Sequence, residues 1–290
     1  MGSHIYVSTG AAREATAASW GQALLGVTNF PLELSGGAYS PRVRDELREL
    51  SAHTPIMLHN YFPPPEDPFV LNLASADPYI AKRSCDLVTL ALDLSAEFGA
   101  SHYAVHSGYC LDPAVSSLGR PLQGTVSGSR QRAVDALVAN LGSLGEHARE
   151  AGVRLLVENH VLAAFNLERF DENPLLMTDP DEIELVIAEL GGNVGLLMDV
   201  GHLKVSSYTL GFDLPEAMAR LLPLAEGFHL SENGGMADDH LSFGDDAWFL
   251  PHLVGRQDFM TIEVHSTRYE DSVSAAIATR DFLQNGAPDA

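Results

Sequence analysis

The amino-acid sequence predicts an α/β protein: a single (β/α)8 TIM barrel over residues 1–290, with the active site at the C-terminal face of the strands. Three observations predict this fold. The length of 290 residues suits one large barrel domain. Eight short apolar runs alternate with segments of helical periodicity. The connections that follow the apolar runs are long, whereas those that precede them are short.

The eight apolar runs have the composition of strands that are buried on both faces. They are almost continuously hydrophobic and rich in β-branched residues, as strands of a helix-covered parallel sheet are. They comprise residues 4–8, 30–35, 55–61, 102–108, 153–160, 194–202, 226–233 and 259–266. We therefore expect a closed parallel sheet inside a ring of helices.

Segments with apolar residues three and four positions apart separate the strands and predict helices. The clearest are residues 41–52, 79–99, 131–152, 179–192, 214–223 and 272–284. Several begin at Asp or Pro, and Gly follows soon after the end, as in "FGA", "AGV" and "LGGN". These residues favour helix starts and stops, so the segments have defined boundaries.

Loop lengths indicate which end of the barrel carries function. The returns from helix to strand are short, as in "HTP", "AGV" and "GGN". The loops after strands 3, 4, 5 and 7 are long, and "NHVLAAFNLERFDENPLLMTD" and "ENGGMADDHLSFGDD" are two of them. Because long loops in a compact domain usually carry function, these loops predict a site at the C-terminal face.

Composition limits the classes of partner. The net charge of −22, from 39 acidic and 17 basic residues, repels phosphate backbones, so we expect no nucleic-acid partner. No apolar run reaches the roughly 18 to 20 residues of a membrane helix, and the N-terminus lacks a signal pattern. We therefore expect a cytoplasmic protein with no membrane partner. Cys85 and Cys110 are too few for a disulfide scaffold or a thiolate metal cluster.

Ionisable residues lie at the ends of six consecutive predicted strands, where a barrel brings side chains together. They are His59, His106, Glu158, Asp199, His229 and Glu263. His202 lies just beyond strand 6, and the loop after strand 7 adds Asp238 and His240. Imidazoles interleaved with carboxylates suit a borderline divalent cation, and unpartnered charges near a barrel core are costly. The sequence therefore predicts a metal site.

Several motifs on successive strands resemble those of the xylose-isomerase-like barrel superfamily. They are "VEN", "MDVGH", "HLSEN", "DDH" and "TIEVH", and the resemblance covers roughly residues 4–284. That superfamily includes sugar and sugar-phosphate isomerases and epimerases, as well as metal-dependent apurinic endonucleases. In the epimerase branch one divalent cation, often manganese, cobalt or magnesium, is held by residues that match Glu158, Asp199, His229 and Glu263.

The endonuclease branch holds three metal ions, mostly zinc, with additional ligands. Those additional positions are matched by His59, His106, His202, Asp238 and His240. The resemblance therefore implies one to three divalent ions per chain, namely Mn, Co, Mg or Zn, and leaves their number open.

The leading hypothesis is an isomerase or epimerase of a sugar or a related polyhydroxy carbonyl compound, acting by proton transfer through a metal-stabilised enediolate. Glu158 and Glu263 would exchange the proton, and His202 would stabilise the substrate oxygens. The candidate substrate-binding residues are Lys204, His160, His265 and Arg120. The remaining histidines are read as structural or surface groups; they are His53, His102, His147 and His252.

Two alternatives remain open. The first is a multinuclear zinc hydrolase of a small phosphoester, not acting on DNA, in which Glu158 bridges two ions. His202, Asp238 and His240 would then bind a third metal ion rather than substrate. The second is a non-catalytic binding barrel, although every matched ligand position carries a residue that can bind a metal ion. Barrels of this class often pair as homodimers, and the sequence leaves the oligomeric state open.

Overall fold

The computed structural model describes residues 5–12, 14–117, 119–126, 128–170 and 172–286. Its strands are β1 (Ile5–Ser8), β2 (Leu32–Ser35), β3 (Ile56–His59), β4 (His102–His106), β5 (Arg154–Glu158), β6 (Gly195–Asp199), β7 (Ala225–Leu230) and β8 (Phe259–Ile262). Each strand pairs in parallel with the next along the chain, and β1 pairs with β8, so the sheet closes in sequence order. The predicted (β/α)8 barrel is confirmed.

Helices follow every strand and cover the outside of the barrel. They are α1 (Ala17–Leu25), α2 (Val43–Ser51), α3 (Pro78–Glu97), α4 (Arg130–Ala151), α5 (Ala164–Leu167), α6 (Pro180–Glu189), α7 (Val200–Leu210), α8 (Leu214–Leu221), α9 (Leu250–Leu253) and α10 (Tyr269–Asn285). The six predicted helices are confirmed as α2, α3, α4, α6, α8 and α10. In the described part of the chain, no helix has both the length and the apolar character that crossing a bilayer requires.

The end of β6 differs from the prediction. The sequence pattern predicted a strand as far as residue 202, but the strand ends at Asp199 and α7 begins at Val200. The Oδ1 atom of Asp199 accepts a hydrogen bond of 2.7 Å from the backbone N–H of His202. An aspartate in this capping position contributes about 1 kcal/mol to helix stability. His202 therefore lies in the first turn of a helix rather than on a strand.

Side chains alternate between the two faces of each strand. Those that point outward, such as Leu32 and Val157, pack with the helices in one large core. Those that point inward near the N-terminal ends form a separate apolar cluster, the lower layer, which consists of Tyr6, Met57, Ala104, Leu156, Leu197 and Phe259. A Cβ atom at Gly227 would lie 2.4 Å from the Phe259 ring, so a glycine is needed for that ring to fill the barrel.

Candidate functional site

Two residues beyond the lower layer, the inward positions of the strands carry ionisable side chains. Met57, Ala104, Leu156 and Leu197 are followed at this spacing by His59, His106, Glu158 and Asp199. His229 in β7 and Glu263 directly after β8 complete the ring. Because side chains two residues apart share one face of a strand, these groups stack above the lower layer. We call this ring the upper layer.

Four members of the upper layer form a compact ligand set. One nitrogen or oxygen atom from each of Glu158, Asp199, His229 and Glu263 lies within 4.8 Å of the others, and all four residues are buried. The Nδ1 atom of His229 lies 3.1 Å from Glu263 Oε2, 3.4 Å from Glu158 Oε1 and 3.9 Å from Asp199 Oδ2. Three carboxylates and one imidazole at these distances have the composition of a divalent cation site.

The hydrogen bonding of this set also fits a cation. Both carboxylate oxygens of Glu158 and the Oδ2 atom of Asp199 are fully buried and have no hydrogen-bond partner among the residues that the structure describes. The imidazoles around Glu158 stand at 3.2 to 3.4 Å but are not aligned to donate. Because a buried acceptor without a donor is costly, oxygens left this way fit a site for a positive ion.

Burial and neighbouring charges shift the pKa values of several ionisable groups in the site. Burial lowers the pKa of His229, but the carboxylates of Glu33, Glu158 and Glu263 outweigh burial and hold that pKa well above its ordinary value. Burial raises the pKa of Glu158, yet the imidazoles of His106, His229 and His59 hold it well below its usual range. Burial raises the pKa of Asp199 to about 7, with His202 opposing the shift. These shifts favour a protonated His229 beside an ionised Glu158.

A second ligand group overlaps the first. Donor atoms of His59, His106 and Glu158 lie within 4.8 Å of one another. The Nε2 atoms of His59 and His106 are 3.3 Å and 3.2 Å from the same oxygen, Glu158 Oε2. Glu158 belongs to both groups, so its two oxygens face two different sets of ligands.

His202, Asp238 and His240 form a third cluster at the mouth of the barrel. The Oδ2 atom of Asp238 lies 3.1 Å from His202 Nε2 and 2.9 Å from His240 Nε2. The Nδ1 atom of His202 lies 2.8 Å from the backbone carbonyl of Asn159, so this nitrogen donates a hydrogen bond. Burial lowers the pKa of His240, but Asp238 and Glu263 raise it to about 9. This cluster is held by ion pairs.

A cavity of about 670 Å³ opens above the three clusters. Its polar side includes His59, His106, His202, Asp238, His240 and Glu263, and its apolar side includes Tyr61, Phe69, Val70, Tyr109, Leu122 and Phe165. Of the lysine and arginine side chains in the described residues, only the exposed one of Arg120 lines this cavity.

Three of the four candidate substrate-binding residues line the cavity, namely His160, His265 and Arg120. Lys204 does not. Its Nζ atom donates to Glu232 and, at 2.7 Å, to the backbone carbonyl of Asn233. The reason is the early start of α7, because residues 202 and 204 lie on different faces of a helix although they would share one face of a strand. The expectation that Lys204 contacts substrate is therefore not supported by its position.

His160 has a defined tautomer. The backbone N–H of Val161 donates a 2.9 Å hydrogen bond to His160 Nδ1, so the proton of the neutral ring is on Nε2. Burial, together with His106 and His202, holds the pKa of His160 well below its ordinary value. The Nε2 atom is buried and has no hydrogen-bond partner in the ranges that the structure describes, and the residue lines the cavity. It is a neutral donor that has no acceptor among the described residues.

Glu33 is an acidic neighbour of the site that the sequence analysis missed. It lies in β2, is 1% exposed, and its Oε1 atom is 3.1 Å from His229 Nε2. Its position between Leu32 and Leu34 was the available signal, because alternation places a residue flanked by outward leucines on the inner face. The histidines assigned outside the site are elsewhere in the fold; His53 and His252 are exposed, and His147 contacts Asp93 at 2.8 Å.

Comparison with known proteins gives a family and several structural relatives. A family model described as "Xylose isomerase-like TIM barrel" matches residues 16–285. One curated relative, the uncharacterized protein MJ1614 of Methanocaldococcus jannaschii, is 25% identical over 175 residues, which are 60% of this chain. The match spans 57% of the length of that relative.

Three solved structures share the fold over nearly their whole length. A D-tagatose 3-epimerase-like protein has a TM-score of 0.72 at 20% identity and covers 97% of each chain. An L-ribulose 3-epimerase has a TM-score of 0.67 at 18% identity and covers 98% of this chain and 94% of its own. The TTHB071 protein of Thermus thermophilus, soaked with ZnCl2, has a TM-score of 0.63 at 22% identity and covers 95% of this chain and 97% of its own. At these identities the similarity establishes the fold.

Proposed function

This chain belongs to the xylose isomerase-like TIM barrel family, and from that premise we propose that it is a divalent-metal-dependent isomerase or epimerase of a sugar or a related polyhydroxy carbonyl compound. The observation that carries the proposal is the buried ligand set of Glu158, Asp199, His229 and Glu263, of which Glu263 lines the cavity. Similar folds described as a D-tagatose 3-epimerase-like protein and an L-ribulose 3-epimerase make ketoses the first substrates to test.

The four ligands would hold one Mn, Co, Mg or Zn ion. A divalent cation bound there supplies Lewis-acid chemistry, because it polarises a carbonyl oxygen and makes the adjacent C–H bond more acidic. The unpartnered oxygens of Glu158 and Asp199 support this assignment, since they lack donors among the described residues.

Glu158 and Glu263 would move the proton. They stand at the ends of β5 and β8, three strands apart in an eight-stranded barrel, so they approach a bound substrate from different sides. Burial raises the pKa of Glu263, but the imidazoles of His229 and His240 hold it well below its usual range. Both carboxylates are therefore ionised at neutral pH, and either can act as the base. The other would first take up a proton from water in the cavity and then deliver it to the opposite face of the carbon, which inverts that carbon.

Two histidines would orient the substrate. His160 lines the cavity and its Nε2–H has no acceptor among the described residues, so a carbonyl or hydroxyl oxygen of the substrate would accept from it. His202 is held between Asn159 and Asp238, and its charge would stabilise negative charge that develops on the substrate oxygens. Arg120, on the outer part of the cavity, would contact the far end of the substrate.

The test is hydrogen exchange in deuterated water. The protein loaded with Mn²⁺, Co²⁺ or Mg²⁺ is incubated with a panel of ketopentoses and ketohexoses, and NMR follows loss of the proton next to the carbonyl. The proposal predicts exchange with at least one ketose that chelator abolishes and that Glu263→Gln lowers strongly. Absence of exchange across the panel, combined with cleavage of a chromogenic phosphoester, would contradict it.

A second candidate is a multinuclear zinc hydrolase of a small phosphoester. It is favoured by the two additional clusters, because Glu158 is shared by two ligand groups and Asp238 Oδ2 contacts both His202 and His240. The two candidates differ in the effect of Asp238→Asn. In a hydrolase this variant loses metal content, whereas in an isomerase it keeps its metal and binds substrate less tightly.

A further inference from the structure

Glu33 stands on the far side of His229 from the ligand set. Its carboxylate lies 3.1 Å and 3.2 Å from His229 Nε2 through its two oxygens. The opposite nitrogen, Nδ1, faces Glu263, Glu158 and Asp199. The imidazole ring therefore spans the distance between one carboxylate outside the ligand set and three carboxylates inside it.

A second contact fixes the carboxylate of Glu33. The hydroxyl of Thr261 donates a 3.0 Å hydrogen bond to Glu33 Oε2. Both residues are buried, at 1% and 0% exposure, so water does not compete for these oxygens. The carboxylate of Glu33 is thus held in place by its contacts with Thr261 and His229.

A neutral imidazole carries one proton, and its location decides which nitrogen can bind a metal ion. Glu33 is an acceptor at Nε2 and favours the tautomer with the proton there, which leaves the Nδ1 lone pair directed at the ligand set. Without Glu33, the proton on Nδ1 would be stabilised by Glu263, 3.1 Å away. That tautomer has no lone pair to offer the cation.

We infer that Glu33 is a positioning residue that fixes the tautomer and orientation of His229 and thereby raises the affinity of the site for its cation. The inference rests on the cation site of the proposed function and extends it to a residue that contacts neither the proposed cation nor the substrate. A carboxylate paired with a metal-binding histidine in this way typically changes metal affinity about 10- to 100-fold.

The test measures Mn²⁺ binding at neutral pH by competition with a fluorescent chelator. Glu33→Gln preserves the shape but replaces an acceptor oxygen with an N–H donor, which favours the wrong tautomer. We expect affinity about 10- to 100-fold weaker with the same number of ions per chain. Glu226→Gln is the matched control, because Glu226 lies near the opposite end of β7 from His229 and its loss removes the same charge. We expect that variant to bind Mn²⁺ as the unmodified chain does.

A second variant covers the case in which Glu33→Gln does not fold. Glu33→Asp keeps the charge but shortens the side chain, so the carboxylate no longer reaches Nε2, and we expect an intermediate loss of affinity. In the Zn²⁺-loaded protein the Nε2–H proton of His229 should resonate far downfield, and this signal should move upfield in either variant. A role in stability alone would leave the signal unchanged.

Each outcome has a distinct meaning. Unchanged Mn²⁺ affinity in both Glu33 variants overturns the inference while leaving the proposed function intact. Loss of one ion per chain in Glu33→Gln also overturns it, because Glu33 would then be a ligand in its own right, together with His59 and His229. An unmodified chain that binds no divalent cation contradicts the proposed function, and the inference fails with it.

Discussion

The two layers of the barrel interior lie on the same strands but differ in the contacts that their atoms make. The lower layer of Tyr6, Met57, Ala104, Leu156, Leu197 and Phe259 is apolar and closely packed. The upper layer, two residues further along, contains buried oxygens and nitrogens on Glu158, Asp199 and His59 that have no hydrogen-bond partner in the described part of the chain. A lower layer that fills space stabilises the fold, whereas an upper layer with unmet bonding capacity is suited to binding an ion.

The largest difference between the layers should appear in Glu158→Gln. This substitution removes a ligand and a proton acceptor together, so hydrogen exchange with a ketose should fall about 10³-fold. The barrel should remain folded, as judged by far-UV circular dichroism, because the lower layer is untouched. A variant that keeps nearly full exchange would show that the upper layer is not the reaction centre.

Leu156→Ala makes the reciprocal change two residues earlier on the same strand. Removal of a fully buried leucine should lower the free energy of unfolding by about 2–5 kcal/mol, because it leaves a cavity in the lower layer. Urea titration of the metal-free protein measures this loss. The number of Mn²⁺ ions bound per folded chain should not change, and a lost ion would show that the layers are not separable.

Removal of the metal ion tests how much its binding in the upper layer stabilises the folded chain. A cation at 100 times its dissociation constant should stabilise the folded chain by about 2.7 kcal/mol. Thermal unfolding in chelator and after addition of Mn²⁺ measures this difference. In Asp199→Asn the same addition should raise the melting temperature much less, since one ligand oxygen is replaced by a neutral amide.

The pH dependence should be opposite for metal binding and for the stability of the metal-free chain. The pKa of His229 is held well above its ordinary value, so a cation that uses Nδ1 must displace a proton, and apparent affinity should rise about tenfold per pH unit. The raised pKa of His240, about 9, contributes stability that is fully present below about pH 6.5 and is lost as the pH rises toward 9. Chelator competition and urea titration across this range measure both trends.

The sequence predicted most of the barrel because alternation of apolar runs and helical segments is a local property. It also predicted that His59, His106, Glu158, Asp199, His229 and Glu263 lie close together, since closure of a barrel brings strand ends together whatever the loops do. Their role as metal ligands stays a prediction. The start of α7 was missed because "VGH" after Asp199 is as apolar as a strand, and the capping bond that ends β6 depends on three-dimensional geometry. The direction of the Lys204 side chain was missed for the same reason, because it depends on where α7 begins.

Glu33 escaped prediction for a different reason. Its flanking leucines in "FPLELS" indicate the inner face, but the predicted ligands were residues at strand ends, and Glu33 lies two residues before the predicted end of its strand. The tautomer of His160 was also out of reach, because it depends on a hydrogen bond from the following backbone N–H. Both residues act through contacts that the order of the sequence does not specify.

Elemental analysis of the chain purified without chelator, together with the Glu263→Gln variant, tests the central claim most directly. The ligand set of Glu158, Asp199, His229 and Glu263 predicts about one tightly held divalent ion per chain, and a large loss of that ion when Glu263 is changed. About three zinc ions per chain would favour the hydrolase. A chain that retains no divalent ion, and takes up none when Mn²⁺, Co²⁺, Mg²⁺ or Zn²⁺ is added, would contradict the assignment of the upper layer as a metal centre.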